Sequence, residues 1–562
     1  MNFSFVDWTI LAVFLFGNLY AGIYGRRYVK SSTDFLVASR SMGVHVGMIS
    51  LVATEIGIIT YMYYAEMGVI YGFTAFLAGL IPAAMYVIVG RTGFVIKRCR
   101  ELELVTIPQF FEDRYGRDVR VLAGVLMAVG GALNFGVFPI IEATFLNIVT
   151  GIPLQYLLWT MVLLMALVLA YTAVGGMISV IITGYIQYIL LVIAMMIITV
   201  YCFTSVGVSQ MVTTVTEHIG PKGLNPIGHP EFGWKFILWQ SLSWLAIITS
   251  WAPVAARTFA SESPSVVKRI FAWTGLLFLG RALLPFFWGI AALAYFKGHV
   301  TVPIQAMPEF LRSVLPMGVL GLVVAGMLAA SMSTYSGYLL AWGSIISQDV
   351  VLPLIGRPLK PKHQLYVHKA TVLCLTVFIV VWGLFYVIPG ATYFYLQMTA
   401  NLFLAGTFWT LAGGIYWKGA HRLGALCSLV LGGSATFLYF VVEDPVAWTG
   451  TIGVLSYVAA LVGMVVGSLF ARMASVAGRI LLLAGLAVAV VVGIVGAGQS
   501  DPLAFWKLVW LAILFLTGLL FVSLSAYAAI KGFSEIQYMF RLLLHGKADI
   551  VEEKRDEPTR AS

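Results

Sequence analysis

Apolar residues follow one another in long runs along nearly the whole chain, with short polar stretches between them. Most runs contain about twenty residues or more, the length that an α-helix needs to cross the hydrocarbon core of a bilayer. They lack the apolar–polar alternation of outer-membrane barrel strands. The pattern therefore predicts about fifteen spanning helices, at approximately residues 7–25, 45–70, 72–97, 121–150, 154–173, 177–206, 233–260, 265–296, 316–347, 365–388, 391–416, 419–441, 450–472, 478–497 and 503–530.

Composition agrees with this pattern. Of the 562 residues, 60% are hydrophobic and only 10% are charged, and the mean hydropathy is +0.94. A soluble domain of this composition would expose large apolar patches. The four cysteines stand singly, without the spacing of a zinc site or a disulfide framework. We therefore expect an all-α polytopic membrane protein with neither feature.

The positive charges predict an orientation. The net charge is +10, but Lys and Arg do not form the basic, aromatic-rich patch of a nucleic-acid interface. If the first span starts outside, 28 of the 34 Lys and Arg fall inside, five fall outside, and Arg281 lies within a span. Cytoplasmic loops are enriched in Lys and Arg. The amino end is thus expected outside and the carboxyl end in the cytoplasm, in the cytoplasmic (inner or plasma) membrane.

Two adjacent hydroxyl residues, Ser333 and Thr334, lie near the middle of one apolar run. On a helix, the carbonyl of Ala330 shares a face with both hydroxyls. Hard oxygens of this kind suit Na⁺. The alternative is that both hydroxyls bond back to carbonyls of their own helix.

Four segments resemble the sodium:solute symporter family. Residues 329–334 (AASMST), with the 344–349 stretch that follows, resemble the family's eighth core helix, which holds sodium in proline, sugar and sialic acid carriers. Residues 53–57 (ATEIG) resemble the broken first core helix, 106–116 (TIPQFFEDRYG) the amphipathic loop before the third, and 171–177 (YTAVGGM) the turn into the fifth. The resemblance covers about residues 1 to 470.

This resemblance implies a fold. It indicates a LeuT-type core of two five-helix inverted repeats, at 45–206 and 207–416, after a first span and cytoplasmic loop at 1–44. Additional spans at 417–531 and a cytoplasmic tail at 532–562 complete the predicted organisation. In this architecture the first helix of each repeat is interrupted near the midplane. Gly57 and, in the second repeat, Ser250 with Pro253 are the predicted breaks.

The resemblance also implies a sodium site of five oxygen ligands. They are the carbonyls of Ala53, Ile56 and Ala330 and the hydroxyls of Ser333 and Thr334. One departure concerns the fifth core helix, where many relatives read Thr-Asp and this chain reads Thr183-Gly184. Without that Asp, the prediction is one sodium ion per cycle.

Substrate and coupling residues are predicted around the breaks: Glu55, Gly57, Trp244, Arg281 and Gln397. An intramembrane Arg281 requires a carboxylate, a water-filled cavity or an anion beside it. The open alternatives are an internal ion pair with Glu142 or Glu55, and contact with substrate. Because a guanidinium fork suits a carboxylate, a monocarboxylate or amino acid is favoured over a sugar. Further candidates for the same cavity are Tyr61, Tyr63, Tyr64, Asn134, Trp239, Gln240, Ser243, Trp251 and Asn401.

The sequence thus predicts a sodium-coupled secondary active symporter that imports a small organic solute by alternating access. It does not predict an enzyme. Na⁺ is the coupling ion, no organic cofactor is expected, and the partners are the solute, Na⁺ and the lipid bilayer, without nucleic acid or an obligatory protein partner. The alternative is a transporter-like sensor that binds a solute and signals through a cytoplasmic partner.

Overall fold

A computed structural model describes residues 3–25, 40–356, 359–388, 390–442, 445–471, 532–533 and 535–537. Over these residues the chain is built from helices and their connections. In chain order they are α1 Phe5–Gly25, α2 Val44–Glu55, α3 Ile58–Tyr71, α4 Leu77–Thr92, α5 Ile96–Glu101, α6 Ile107–Tyr115, α7 Arg117–Gly136, α8 Phe138–Thr150, α9 Leu157–Ser205, α10 Val208–His218, α11 Gly233–Ser250, α12 Ala252–Ala260, α13 Pro264–Tyr295, α14 Ala306–Val314, α15 Val319–Ile345, α16 Leu352–Ile355, α17 Pro361–Phe385, α18 Thr392–Tyr416, α19 Arg422–Phe437 and α20 Pro445–Phe470.

Both predicted helix breaks are present. Ile56 and Gly57 are extended between α2 and α3. In the second predicted repeat, α11 ends at Ser250, and an extended Trp251 joins it to α12 at a bend of 46°. Pro253 occupies the first turn of α12, where a proline has no intrahelical amide to lose. Each break leaves the last carbonyls of the preceding helix without their usual partners.

The predicted count of about fifteen spans is not confirmed. Among the described residues, eight helices are long and apolar enough to cross a membrane, or nine when α11 and α12 are taken as one bent span. Part of the difference arises at the first break, because α2 alone is too short to count and α3 and α4 count together as one span, Ile58–Thr92. The last two predicted spans, 478–497 and 503–530, lie outside the described residues.

The turn predicted at 171–177 is wrong. The backbone stays helical through the 49 residues of α9. Gly175 and Gly176 lower helix propensity by only about 1 kcal/mol each, and no proline accompanies them. At 1.5 Å per residue α9 is roughly 74 Å long, more than twice the hydrocarbon thickness of roughly 30 Å. One straight crossing of the membrane would therefore need only part of α9.

Helices α13 and α15 are the most deeply buried long elements. Glycines let their neighbours approach at backbone distance. A Cβ on Gly68 of α3 would lie 2.2 Å from the carbonyl oxygen of Phe286, and one on Gly326 would lie 2.7 Å from that of Leu190 on α9. Small residues at such crossings are characteristic of membrane helix packing. The two helices that carry Arg281 and Ser333 are thereby held at the centre of the molecule.

The start of the predicted cytoplasmic tail packs against the core where the structure describes it. Ile536 packs against the core, and Glu535 Oε2 accepts hydrogen bonds from the backbone amides of His45 (2.9 Å) and Val46 (3.1 Å). Glu535 Oε1 lies 2.6 Å from His45 Nδ1. The rest of the tail from residue 538 lies outside the described residues.

Candidate functional site

The first helix break is closed by side chains from elsewhere in the fold. Thr60 accepts a hydrogen bond from the Gly57 amide and donates one to the Glu55 carbonyl, both at 3.3 Å. Arg281 of α13 donates to the same carbonyl from Nε at 2.8 Å and also from Nη2. The guanidinium thus binds the negative end of the α2 dipole.

Of the two alternatives left open for Arg281, the internal ion pair is not found among the described residues. Among the ion pairs of the described residues there is none between Arg281 and Glu142 or Glu55. Its guanidinium carbon lies 4.2 Å from the centroid of the Phe278 ring, and its Nη1 has no hydrogen-bond partner there. The helix break leaves the Glu55 carbonyl without an intrahelical partner. This carbonyl accepts the two hydrogen bonds from Arg281 that a carboxylate was expected to accept.

A cavity of about 60 Å³ opens beside this break. It brings together four of the five predicted substrate and coupling residues, namely Glu55, Trp244, Arg281 and Gln397. The other lining residues are Ile59, Thr60, Tyr63, Asn134, Phe138, Ile247, Trp251, Thr334, Tyr338, Leu396 and Ala400. Gly57 does not line it. The lining joins both helix breaks with Thr334, one of the two hydroxyl residues expected to hold sodium.

Three polar atoms of the cavity residues have no hydrogen-bond partner in the described part of the chain: Arg281 Nη1, Glu55 Oε1 and Trp244 Nε1. Unpaired buried polar atoms are costly, by about 1–3 kcal/mol each. A donor of the guanidinium, an indole donor and a carboxylate acceptor are therefore buried without partners on residues that line the cavity.

Several further candidates lie elsewhere. Tyr393 donates to Gln240 at 2.8 Å, and Asn401 Oδ1 accepts hydrogen bonds from Ser243 and Tyr457, both at 3.2 Å. These contacts join α11, α18 and α20 beside the cavity. The remaining candidates, Tyr61, Tyr64 and Trp239, are buried among other aromatic rings. They are packing residues here, because their rings face neighbouring helices instead of the cavity.

The two hydroxyls predicted to bind sodium behave differently. Thr334 donates to the Ala330 carbonyl at 3.2 Å, as the back-bonding alternative predicts, whereas Ser333 Oγ is buried without a partner among the described residues. A Cβ on Gly57 would lie 3.0 Å from Thr334 Oγ1, and one on Gly184 would lie 3.5 Å from Ser333 Oγ. The first break and the fifth core helix thus meet at this pair. An unpartnered buried hydroxyl next to a residue that contacts the helix break is a suitable ligand for a small cation such as Na⁺.

Glu142, predicted as an alternative partner of Arg281, lies on the other side of the break. It is fully buried, its Oε2 accepts a hydrogen bond from Ser331, and its Oε1 accepts one from the Ile59 amide at 3.4 Å. The carboxylate therefore caps the N-terminus of α3. This role could not be read from the sequence, since the two residues are 83 positions apart.

Two buried polar residues near the helix breaks were not predicted from the sequence. Tyr338 lines the cavity and accepts a hydrogen bond from Trp251 Nε1 at 3.3 Å. Its position four residues after Thr334, on the same helix face, was the available signal. Arg257 lies within the predicted span 233–260, where it is fully buried and donates to Ser50 (3.4 Å), Thr54 and the Pro253 carbonyl (3.1 Å).

A polar cluster ties the far end of α15 to α6 and α7. Arg120 donates to Asp349 at 2.8 Å, to the Gln348 carbonyl at 2.9 Å and to Glu112, and Thr106 donates to Asp349 at 3.0 Å. Asp349 lies in a π-helical segment, Ile346–Val351. Such segments are often functional. The helix that carries Ser333 and Thr334 is therefore anchored at this end.

Comparisons with known sequences agree with this geometry. The sodium:solute symporter family matches residues 35–432. A putative sodium-dependent multivitamin transporter of Drosophila melanogaster is 25% identical over 65% of this chain and 63% of its own length. The sodium/sialic acid symporter of Proteus mirabilis is 22% identical over 67% and 77%, and the sodium/pantothenate symporter of Haemophilus influenzae is 26% identical over 75% and 87%.

Solved structures with a similar fold are transporters. A substrate-bound, outward-open sodium-coupled sialic acid symporter has a TM-score of 0.70 at 20% identity, over 83% of this chain and 98% of that one. The inward-facing conformation of the transporter Mhp1 has a TM-score of 0.51 at 15% identity, over 76% and 90%. At these identities the likeness concerns the fold. It places the described helices in the LeuT-type class of transporter architectures.

Proposed function

This chain belongs to the sodium:solute symporter family, and on that premise we propose that it imports a small organic solute together with Na⁺ by alternating access. The activity of the whole protein is part of this proposal, because the chain matches only 63% of the length of the Drosophila relative. The supporting observation is the meeting of Arg281, the broken α2–α3 helix and Thr334 in one cavity.

The proposed sodium site consists of the carbonyls of Ala53, Ile56 and Ala330 and the hydroxyls of Ser333 and Thr334. Five neutral oxygens suit a monovalent ion that must leave again during each cycle. The unpartnered Ser333 hydroxyl supports this site, because a hydroxyl buried without a partner is unfavourable until an ion binds. With Gly184 beside Ser333 in place of a carboxylate, one sodium ion per cycle is proposed.

The proposed solute carries a carboxylate. Arg281 Nη1 is unpartnered and aromatic side chains line the cavity with it, so a carboxylate binding there would gain a charge-assisted hydrogen bond in a dry site. Glu55 Oε1 is also unpartnered and suits an ammonium group. Within the predicted alternatives this favours an amino acid over a simple monocarboxylate, and either over a sugar.

A transporter, not a sensor, is proposed. The relatives compared above are named as transporters and symporters, and no contact in the described residues favours signalling through a partner. The inverted-repeat division and the outside amino end also remain part of the proposal.

The experiment that tests the solute class is a thermal-shift screen of amino acids, monocarboxylates and sugars on the purified chain, with and without Na⁺. A ligand of the native state raises the unfolding midpoint. We expect amino acids to stabilise the protein only when Na⁺ is present. For Arg281→Lys we expect half-saturation by the solute to need at least about tenfold more ligand, while half-saturation by Na⁺ changes little.

The matched control is Arg100→Lys, which replaces another buried arginine outside the cavity lining. It should leave the solute concentration at half-saturation near the wild-type value. A shift of equal size in both variants, or stabilisation by sugars alone, would remove the support for a carboxylate at Arg281.

A further inference from the structure

A second cleft lies on the outer surface of the helix bundle, between α4 and α13. It encloses about 360 Å³ and is lined by Val87, Gly90, Arg91, Lys268, Arg269, Ala272, Trp273 and Leu276. Helix α4 ends the candidate membrane span Ile58–Thr92, and α13 is a candidate span by itself. Arg91 lies in the last turn of α4, and Lys268 and Arg269 lie in the second turn of α13. The cleft is therefore located where two spans reach the membrane surface.

The three cations of this cleft have no anionic partner. None of Arg91, Lys268 and Arg269 forms an ion pair or a side-chain hydrogen bond with any residue that the structure describes. Neighbouring cations differ, since Glu101 pairs with Arg98 at 2.9 Å and with Lys97 at 3.7 Å. Cations near a helix N-terminus also oppose the helix dipole. An anion bound in the cleft would pair with these cations and offset their unfavourable interaction with the helix dipole.

The other lining residues of the cleft are mainly apolar. Val87, Ala272 and Leu276 are apolar, and the Trp273 side chain is 41% exposed. Tryptophan is typical of the membrane interface, where its ring lies among the lipid headgroups. The floor is narrow because α4 and α13 touch at backbone distance: a Cβ on Gly90 would lie 2.1 Å from the Ala272 nitrogen. The cleft thus offers cations at its mouth and an apolar groove along its length.

We propose that this cleft binds an anionic phospholipid, with the headgroup phosphate at Arg91, Lys268 and Arg269 and an acyl chain along Val87, Trp273 and Leu276. Basic pockets between spanning helices on the cytoplasmic side are suited to anionic headgroups. A free anion would use only the mouth. The apolar wall favours a ligand that has both a phosphate and a hydrocarbon chain.

Lipid at this cleft would act on the element that leads to the first helix break. A Cβ on Gly47 of α2 would lie 2.3 Å from Ile270 Cδ1, so the residue that follows Arg269 packs directly on α2. The same helix α13 carries Arg281 three turns further on. An occupied cleft therefore fixes the start of α13 against α2.

The test measures binding to the full chain in neutral detergent by native mass spectrometry and by thermal unfolding. The added probes are phosphatidylglycerol, phosphatidylcholine, glycerol 3-phosphate and inorganic phosphate. We expect phosphatidylglycerol to bind and raise the unfolding midpoint, and the other three to have little effect. Lys268→Gln/Arg269→Gln should weaken phosphatidylglycerol binding at least about tenfold.

The matched control is Lys360→Gln/Lys362→Gln, which removes two exposed charges outside the cleft lining. Arg91→Gln, on the opposite helix, repeats the test if the first double variant does not fold. Retained binding in the control supports the site. Equal weakening in cleft and control variants would show attraction to the general surface charge, and equal stabilisation by inorganic phosphate would show a free-anion site; either result overturns the proposal.

Discussion

Ser333 and Thr334 are adjacent, yet only one of the two hydroxyls has a hydrogen-bond partner among the described residues. The Thr334 hydroxyl donates to the Ala330 carbonyl at 3.2 Å, while Ser333 Oγ is buried without a partner in the described structure. Replacing Ser333 with Ala should therefore leave the Na⁺-free unfolding midpoint unchanged or higher, since it removes an unsatisfied group. The stabilisation by Na⁺ should be largely lost.

Thermal unfolding across a Na⁺ titration checks this prediction. Ser336→Ala is the matched control, because that hydroxyl donates to the Ser333 carbonyl at 3.0 Å and has no assigned role in ion binding. It should retain the Na⁺-dependent shift. A Ser333→Ala protein that responds to Na⁺ like the wild type would remove Ser333 from the site.

Gly184 provides a test in which Na⁺ binding is expected to become stronger instead of weaker. A Cβ at this position would lie 3.5 Å from Ser333 Oγ, an ordinary contact distance, so a carboxylate can be introduced beside the proposed ion. Gly184→Asp should lower the Na⁺ concentration at half-saturation by about tenfold, since a nearby opposite charge favours the bound cation. Gly184→Ala controls for size alone. Unchanged or weaker Na⁺ binding in the Asp variant would contradict the placement of the ion at Ser333.

Among the helices, four carboxylates share one role. Asp7 accepts from the amides of Gly318 (2.8 Å) and Gly321 (2.7 Å) at α15, and Glu66 accepts from Thr392 (3.0 Å) at α18. Glu142 does the same at α3 and Glu535 at α2. Each satisfies helix N-terminal donors and the positive end of a dipole. Acidic residues inside this bundle are thus helix caps as well as candidates for ion chemistry.

Glu535 offers the test of this capping role. Glu535→Gln keeps an acceptor but removes the charge, so the start of α2 should lose about 1 kcal/mol of stabilisation. Hydrogen exchange at the His45 and Val46 amides should become about fivefold faster. Glu309→Gln, at an exposed position on α14, should leave that exchange unchanged. Equal exchange rates in the wild type and Glu535→Gln would mean that the tail does not cap α2 in solution.

Local signals predicted some elements and not others. Gly57, Ser250 and Pro253 indicated both breaks, because glycine and proline act on their own backbone. The partner of Arg281 could not be predicted, since the Glu55 carbonyl becomes free only when α2 ends and α13 packs beside it, 226 residues away in sequence. The turn at 171–177 was inferred from the family resemblance alone, and the sequence of this segment has no proline that would have to end the helix.

At the scale of the whole molecule, orientation remains a prediction from the Lys and Arg distribution. A tag at Ser562 should be accessible only from the cytoplasm, and a tag in the 208–232 loop only from outside. Accessibility labelling in sealed cells, compared with permeabilised cells as the control, measures both. The result bears on α9. In the predicted topology the chain lies outside at residue 150 and again at residue 208, so the segment between them must cross the membrane twice. Both tags on one side would exclude the proposed repeat arrangement.

The central claim is that solute import is driven by Na⁺, and uptake into proteoliposomes tests it most directly. Protein reconstituted in sodium-free vesicles is given a labelled amino acid from the thermal-shift screen, with an inward gradient of Na⁺ or of K⁺. The account predicts uptake above the equilibrium level with Na⁺ only, its collapse when a sodium ionophore is added, and its loss in a Ser333→Ala/Thr334→Ala protein that still folds. Equal uptake with Na⁺ and K⁺, or binding of the amino acid without accumulation, would contradict the account.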